Sequence, residues 1–328
     1  MKIIVDGMGG DKGHKEVVKG SVDAVKELGV EIIIVGKEDA IEEELKKYDY
    51  PNNTIEILNA NDVITNDDEP ALAIRRKKDS SMVVGLKALT ENKGVGFVSC
   101  GSTGALLAGG LFIVKRIKGI ERAALAAPYP TTKGMSLLID SGANVDCKPE
   151  YLKQFAIMGS IYCEKVLGYR SPKVGLANIG TEEAKGNTIV KEAYNLLKES
   201  NINFIGNVEA RDIPQGVCDV IVCDGFVGNI ILKLTEGMAI TILSMIKEEL
   251  TSNFKSKIGA LLLKSQFSSL KDKMDYREYG GAPLLGLKQP VIKAHGSSDA
   301  LAIKNAIRQV KNFVENKVIN LIEDDINN

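Results

Sequence analysis

The chain alternates between short unbroken apolar runs and longer stretches in which apolar residues return every three or four positions. Lys2–Val5, Glu31–Val35 and Thr54–Leu58 are runs of the first kind. The stretches from about Lys15 to Leu28 and from Glu38 to Tyr48 are of the second, the former with Val17, Val18, Val22 and Val25 on one face. Runs of four to six apolar residues suit strands covered on both faces, and the longer period suits amphipathic helices. The alternation continues with a helix over Ser80–Leu89, a strand through Val95, Phe97 and Val98, and a helix from Ala105. Strands at Ala123–Ala127 and Met135–Asp140 precede a helix from Pro149 through Leu167, Pro149 being placed as a first-turn proline. Strands at Lys173–Ala177, Asn203–Gly206 and Val217–Cys223 follow, then a helix beyond Asn229. The final segment, Lys293–Asn328, reads as helical and as closing the sheet. Strand-helix alternation predicts a mostly parallel sheet covered on both faces. Only Ser252–Gly280 breaks the pattern, so the expectation is a single α/β domain over 1–328 with a helical, basic and apolar excursion at about 252–280.

Polar residues collect where strands end. Gly101-Ser-Thr-Gly104 joins an apolar run to a helix of small residues. A helix N-terminus offers unpaired N–H groups and partial positive charge, which suits a phosphate or a developing oxyanion. Ser102, Thr103 and Gly104 are therefore anion-site candidates; the alternative, in which Ser102 or Thr103 only caps the helix, stays open here. Asp6-Gly-Met-Gly-Gly-Asp11 ends the first strand, but it is neither a dinucleotide fingerprint nor a phosphate-binding P-loop. A second polar turn is Asp140-Ser-Gly-Ala-Asn-Val-Asp146. A third runs from Asn178 to Asn187 and holds Lys185, the strongest single cation candidate, and Asn187. The fourth is Asp224-Gly-Phe-Val-Gly-Asn229, with Lys233 one helical turn after Asn229 on the same side. His295 stands in a Gly/Ser turn, Ala294-His-Gly-Ser-Ser298, whereas His14 reads as structural or solvent-facing. Arg75-Arg-Lys-Lys78 reads as a solvated basic face or as a lure for an acidic partner.

Charge narrows the function classes. Forty-two basic against 43 acidic residues give a formal net charge of −1, so no overall excess points to nucleic acid. Five scattered cysteines without a C-x-x-C pair, and only two histidines, argue against a zinc site. The odd cysteine count and a chain that opens directly on a strand lead to the expectation of a cytoplasmic protein.

In sequence the turns carry a family pattern. Val5-Asp-Gly-Met-Gly-Gly-Asp11, Arg75-Arg-Lys-Lys-Asp-Ser-Ser-Met82, Gly101-Ser-Thr-Gly-Ala-Leu-Leu-Ala108 and Asp140-Ser-Gly-Ala-Asn-Val-Asp-Cys-Lys-Pro149 come first. Asn178-Ile-Gly-Thr-Glu-Glu183, Gly206-Asn-Val-Glu-Ala-Arg-Asp212, Cys223-Asp-Gly-Phe-Val-Gly-Asn229 and Lys293-Ala-His-Gly-Ser-Ser-Asp299 follow in order. With these segments the chain resembles the bacterial phosphate acyltransferases of phospholipid synthesis. The resemblance implies a three-layer α/β/α sandwich similar to isocitrate and isopropylmalate dehydrogenases and to phosphotransacetylase. It implies conversion of acyl-carrier-protein and inorganic phosphate to acyl phosphate without a cofactor. It further implies a homodimer, reversible contact with the membrane, and a downstream membrane glycerol-3-phosphate acyltransferase.

That chemistry asks for an anion cradle, oxyanion donors and a positioned thioester, with little acid–base help. Lys185, Asn229 and His295 are the catalytic candidates, His295 as a proton donor to the departing thiolate or as a neutral ring holding its turn. Asp6, Asn144, Asn187, Lys233 and Ser297 join Ser102, Thr103 and Gly104 as substrate-binding candidates. A covalent role for Ser102 is disfavoured, because no nucleophile elbow is present. In the excursion, Lys257, Ile258, Leu261, Leu262, Lys264, Lys271, Lys273 and Arg277 mix lysines with an apolar tip, which suits an anionic bilayer, an acidic carrier protein or a dimer contact. Two other readings are a nicotinamide-dependent hydroxy-acid dehydrogenase of similar fold and a non-catalytic scaffold for acyl carrier protein.

Overall fold

A computed structural model describes residues 1–266 and 279–327. Its centre is an eleven-stranded sheet in the order β3-β2-β1-β4-β11-β10-β5-β6-β9-β7-β8. In one half, β1 (Lys2–Asp6), β2 (Glu31–Gly36), β3 (Ile55–Asn59), β4 (Phe97–Ser99) and β11 (Val291–Lys293) are mutually parallel. In the other, β6 (Gly134–Ile139), β7 (Val174–Asn178), β8 (Phe204–Glu209) and β9 (Val220–Val222) are parallel to one another. Between the halves, β10 (Ala282–Leu285) pairs antiparallel with β11 and with β5 (Ala124–Thr131), and β5 pairs antiparallel with β6. Three successive reversals make the two parallel halves run in opposite directions.

Strand side chains alternate between the faces, which splits the core cleanly. Ile3 and Val5 meet α1 (His14–Leu28) and α2 (Glu38–Leu45), whereas Ile4 points to the opposite face with Phe97. That opposite face is covered by α3 (Pro70–Arg76), α4 (Ser81–Thr90) and α5 (Thr103–Gly109), the last continuing as a wider turn through Val114. In the second half, Leu137, Ile139, Val220 and Val222 pack under α6 (Pro149–Lys165) and α7 (Thr188–Lys198). Leu138 and Ile221 face the other way, toward α8 (Gly225–Thr251). The valines predicted to point inward from α1 are all buried, against α10 (Ala300–Glu315). Gly20 makes that packing close, since a Cβ there would stand 2.6 Å from the Ala300 carbonyl oxygen. The chain ends on α11 (Val318–Asn327), whose Val318 and Ile322 close the core beside α6.

The structure departs from the sequence expectations at several places, and the segment expected as a turn, Asp224–Asn229, is the N-cap and first turn of α8. β10 and β11 lie where no strand was expected, α3 is a helix capped by the Glu69 carboxylate, and α7 fills a stretch left unassigned. The protruding segment starts within α8 rather than at Ser252. Gly225 and Gly228 are buried, and the Tyr129 and Thr235 hydroxyls are 3.0 Å apart, so the first part of α8 lies on the sheet. From Glu236 onward the helix is mostly exposed, and α9 (Phe254–Leu262) buries no residue. By length and apolar composition α8 is the one described helix that could cross a membrane.

Candidate active site

Because β1, β4 and β11 are neighbours, the turns that follow them stand side by side. The Asp6 carboxylate is buried; it accepts from the Ser99 hydroxyl at 2.7 Å and from the Met8 N–H at 3.2 Å. The same Ser99 oxygen accepts from the Gly101 N–H at 3.0 Å. Gly9 presses on that turn so closely that a Cβ would meet the Gly101 nitrogen at 2.6 Å. The Asp11 N–H donates to the Gly296 carbonyl at 2.8 Å, which ties in the third turn. Asp6, Ser102, Thr103, Gly104, His295 and Ser297 are thereby gathered at one end of the sheet. Ser102 occupies the N-cap position of α5, yet its side chain makes no capping bond. The capping alternative left open for Ser102 therefore does not hold.

Lys293, the last residue of β11, belongs to this group and was not among the sequence candidates. Its ammonium donates to the main-chain carbonyls of Ala294 and Cys100. Burial pulls it below the usual lysine range, while the Cys100 thiol, Asp11 and Asp6 act in the opposite sense. His295 is likewise shifted below its ordinary value by burial, with Glu236 raising it and Lys293 and Lys233 lowering it. Lys233 and Glu236 come from α8, where they pair at 2.8 Å. Eight residues of helix, about 12 Å of rise, carry Lys233 from the second half of the sheet to the first.

The remaining candidates stand with that second half, where β6, β9 and β7 are neighbours. Asp140 is fully buried and its carboxylate accepts from the N–H groups of Leu125, Gly142, Ala143 and Asn144 at 2.6–3.2 Å. The Asn144 amide is committed inside the turn, donating to Asp140 at 2.9 Å and to the Ala123 carbonyl at 2.8 Å. Asn229 lies against this turn, its side chain 3.6 Å from where a Gly142 Cβ would stand. Asn187 caps α7 by accepting from the Val190 N–H at 2.9 Å. Lys185 is exposed on the loop after β7, with its main-chain carbonyl held by Asn178 at 3.1 Å. No described contact joins Lys185 or Asn187 to the Ser102 turn; α8 is the element that spans the two groups.

No thiol in the first group is poised as a nucleophile. Burial raises Cys100 to about 11, and Cys147 near the Asp140 turn to about 12. Among the described residues no cluster of three or more His, Cys, Asp or Glu side chains offers a metal site. Lys257, Ile258, Leu261, Leu262 and Lys264 are exposed on and just after α9, whereas Lys271, Lys273 and Arg277 lie outside the described residues.

A family model described as fatty acid synthesis protein matches residues 1–321. The chain belongs to this family. It is 58% identical over 326 residues to a phosphate acyltransferase of Alkaliphilus oremlandii, covering 99% of this chain and 97% of that one. A phosphate acyltransferase of Clostridioides difficile is 54% identical over 328 residues, covering 100% and 95%. A solved phosphotransacetylase from Streptococcus pyogenes superposes with a TM-score of 0.62 at 19% identity, covering 96% of this chain and 94% of that chain, a likeness of fold. The chain is an acyltransferase with the three-layer α/β/α architecture expected from the sequence. For an acyltransferase, protonated buried thiols mean that acyl transfer through a cysteine thioester has no ready nucleophile here.

Proposed function

We propose that this acyltransferase moves an acyl group from the thioester of an acyl carrier protein directly to inorganic phosphate, giving acyl phosphate and free carrier thiol. A phosphate oxygen forms a bond to the carbonyl carbon, the C–S bond breaks, and the thiolate leaves to be protonated. The observation that carries this reading is the grouping of Lys293, Lys233 and His295 beside the turn that holds the uncapped Ser102, with the Lys293 ammonium on the Cys100 carbonyl of that turn and the Cys100 thiol held protonated. Cations and N–H donors suit an oxyanion nucleophile and a tetrahedral oxyanion. A thiol leaves readily, with an ordinary pKa of about 8.5.

In this reading Ser102, Thr103 and the Gly104 N–H receive phosphate, and Asn229 supplies an oxyanion or pantetheine contact. Lys185 and Asn187 approach from the second half of the sheet with the substrate bound. A second copy of the chain covers the exposed apolar flank of α8, and α9 meets an anionic bilayer reversibly, since Phe254 and Leu262 are 77% and 75% exposed. Acyl phosphate is a reactive mixed anhydride, which makes release beside a membrane glycerol-3-phosphate acyltransferase, for phosphatidic acid synthesis, chemically sensible. The enzyme then works in the cytoplasm and at the membrane surface.

The test uses purified protein, palmitoyl-carrier protein and radiolabelled phosphate, with hydroxylamine to trap product. Labelled acyl phosphate that yields palmitoyl hydroxamate is the expected result. Bound carrier protein with no phosphate-dependent turnover would instead favour a scaffold.

A further inference from the structure

Four cations in the first half of the sheet form close ion pairs, while others there, Lys37, Lys46, Arg75 and Arg76 among them, form none among the described residues. Lys2 meets Glu56, Lys47 meets Glu44, Lys77 meets Asp68 and Lys93 meets Glu91, at 2.7–3.0 Å. One surface stands out because unpaired cations from separate stretches are held together there. Lys115, Arg116, Lys118, Arg122, Lys148 and Lys288 are all exposed, and none forms an ion pair among the described residues.

They come from three separated stretches that the main chain holds together. The Lys288 N–H donates to the Lys115 carbonyl and the Ile117 N–H to the Gly286 carbonyl, both at 2.9 Å. Gln154 on α6 fastens the intervening loop, donating to Gly119 and accepting from the Glu121 N–H, each at 2.9 Å. The Arg122 guanidinium and the Lys148 ammonium share one aromatic ring, 5.4 and 5.9 Å from the Tyr151 centroid. Glu121, Asp146 and Glu150 are the carboxylates in the same stretches, so the cations outnumber them two to one on a chain of net charge −1. Gathering like charges on a rigid surface costs free energy, which an anionic partner recovers.

The patch borders the candidate site. Lys148 follows the Asp140–Asp146 turn, and Asn144 of that turn accepts the Gly225 N–H at 2.7 Å, at the start of α8. Val145 and Phe226, 60% and 58% exposed, stand at that junction. An apolar anchor inside a basic field is the pattern of a protein-docking surface whose energy centres on the anchor. α9 leaves the other end of α8, about 40 Å of helix from Gly225, so the patch is separate from the segment offered to a bilayer.

We infer that this surface docks a small acidic protein that carries the acyl thioester, and that it does so in place of the lysines around α9. The inference rests on the acyl-transfer reading for the identity of the partner and on the cation placement for its position. Two double variants test it: Lys118→Glu with Lys288→Glu, and Lys115→Glu with Lys148→Glu. Binding of apo carrier protein is read by fluorescence anisotropy, and turnover with phosphate is compared for octanoyl-carrier protein and neutral octanoyl-pantetheine. Both variants are expected to weaken carrier binding at least tenfold, raise KM for the carrier substrate by a similar factor, and leave octanoyl-pantetheine turnover unchanged. Wild-type carrier binding should fall with added salt, and the variants should lose most of that dependence. Unchanged carrier binding in both variants overturns the inference, as does a loss shared equally by the two thioesters. Reduced binding to phosphatidylglycerol vesicles with intact carrier binding also overturns it, assigning the surface to a membrane. If wild type binds the carrier but turns over neither thioester, the acyl-transfer reading fails while the anisotropy still decides the patch.

Discussion

His295 shows what one ring can do when its surroundings keep it neutral. Its Nδ1 accepts the Ser297 N–H at 3.2 Å and lies 2.8 Å from the Ser297 hydroxyl, an arrangement that places the ring proton on Nε2. Burial lowers the histidine below its reference value, so the neutral form persists somewhat below pH 6.5. Protonation would put a hydrogen on Nδ1, against the Ser297 N–H, and break the turn's bond. The sign is then fixed: activity should be level down through pH 6.5 and fall below it as the folded-state histidine titrates. His295→Gln keeps an N–H donor near Nε2; it should lose less than tenfold in kcat and lose this acid limb. His295→Ala should lose about a hundredfold, the scale of one oxyanion donor. Initial rates from pH 5 to 8 check both, and an acid limb that survives in the glutamine variant would remove His295 from the step.

Turns, rather than helices or strands, set the site, and the Asp140 turn is the most fully determined of them. Its carboxylate takes four main-chain N–H groups and the Asn144 amide, and its own carbonyl is the floor beneath α8. Gly228 fits there only as glycine, because a Cβ would stand 1.9 Å from that oxygen. Asp140 thus positions Asn229 through the 140–144 turn. Asp140→Asn turns an amide hydrogen toward donors and strands buried N–H groups, costing about 2–4 kcal/mol of stability. It should also lower kcat more than it raises KM, and add little once Asn229→Ala is present. Thermal melts and a double-mutant cycle read the two effects. The polar segments at strand ends were legible in the sequence because Gly, Ser, Asp and Asn interrupt long apolar runs, although the fourth, Asp224–Asn229, is the N-cap and first turn of α8 rather than a turn before it. β10 and β11 were not, since three or four residues around Gly286 and Pro290 show no period. Lys293 was hidden with them: a lysine ending an unrecognised strand looks like the start of a surface helix. The split of the turns into two groups was also invisible, because strand direction depends on how β10 and β5 pair far along the chain.

At the scale of the molecule, α8 is both bridge and border. Its first turns seal the second half of the sheet and bring Lys233 to the first, while its later turns leave the body with Ile240 71% exposed. A helix of 27 residues with that much apolar surface is unfavourable in water unless something covers it. The proposed division of labour, a second copy along α8 and a bilayer at α9, makes separable predictions. Ile240→Glu places a charge in the proposed subunit contact; it should give monomers in sedimentation at micromolar protein while Lys233 and the turns beneath it remain in place. Leu262→Glu changes only the α9 tip. Burying a leucine is worth about 1.5–3 kcal/mol, so this variant should bind anionic vesicles at least tenfold more weakly and stay dimeric, with soluble turnover intact. If Leu262→Glu dissociates the dimer instead, α9 is part of the subunit contact. The proposed bilayer contact at α9 then fails, because a residue sealed between subunits cannot reach lipid.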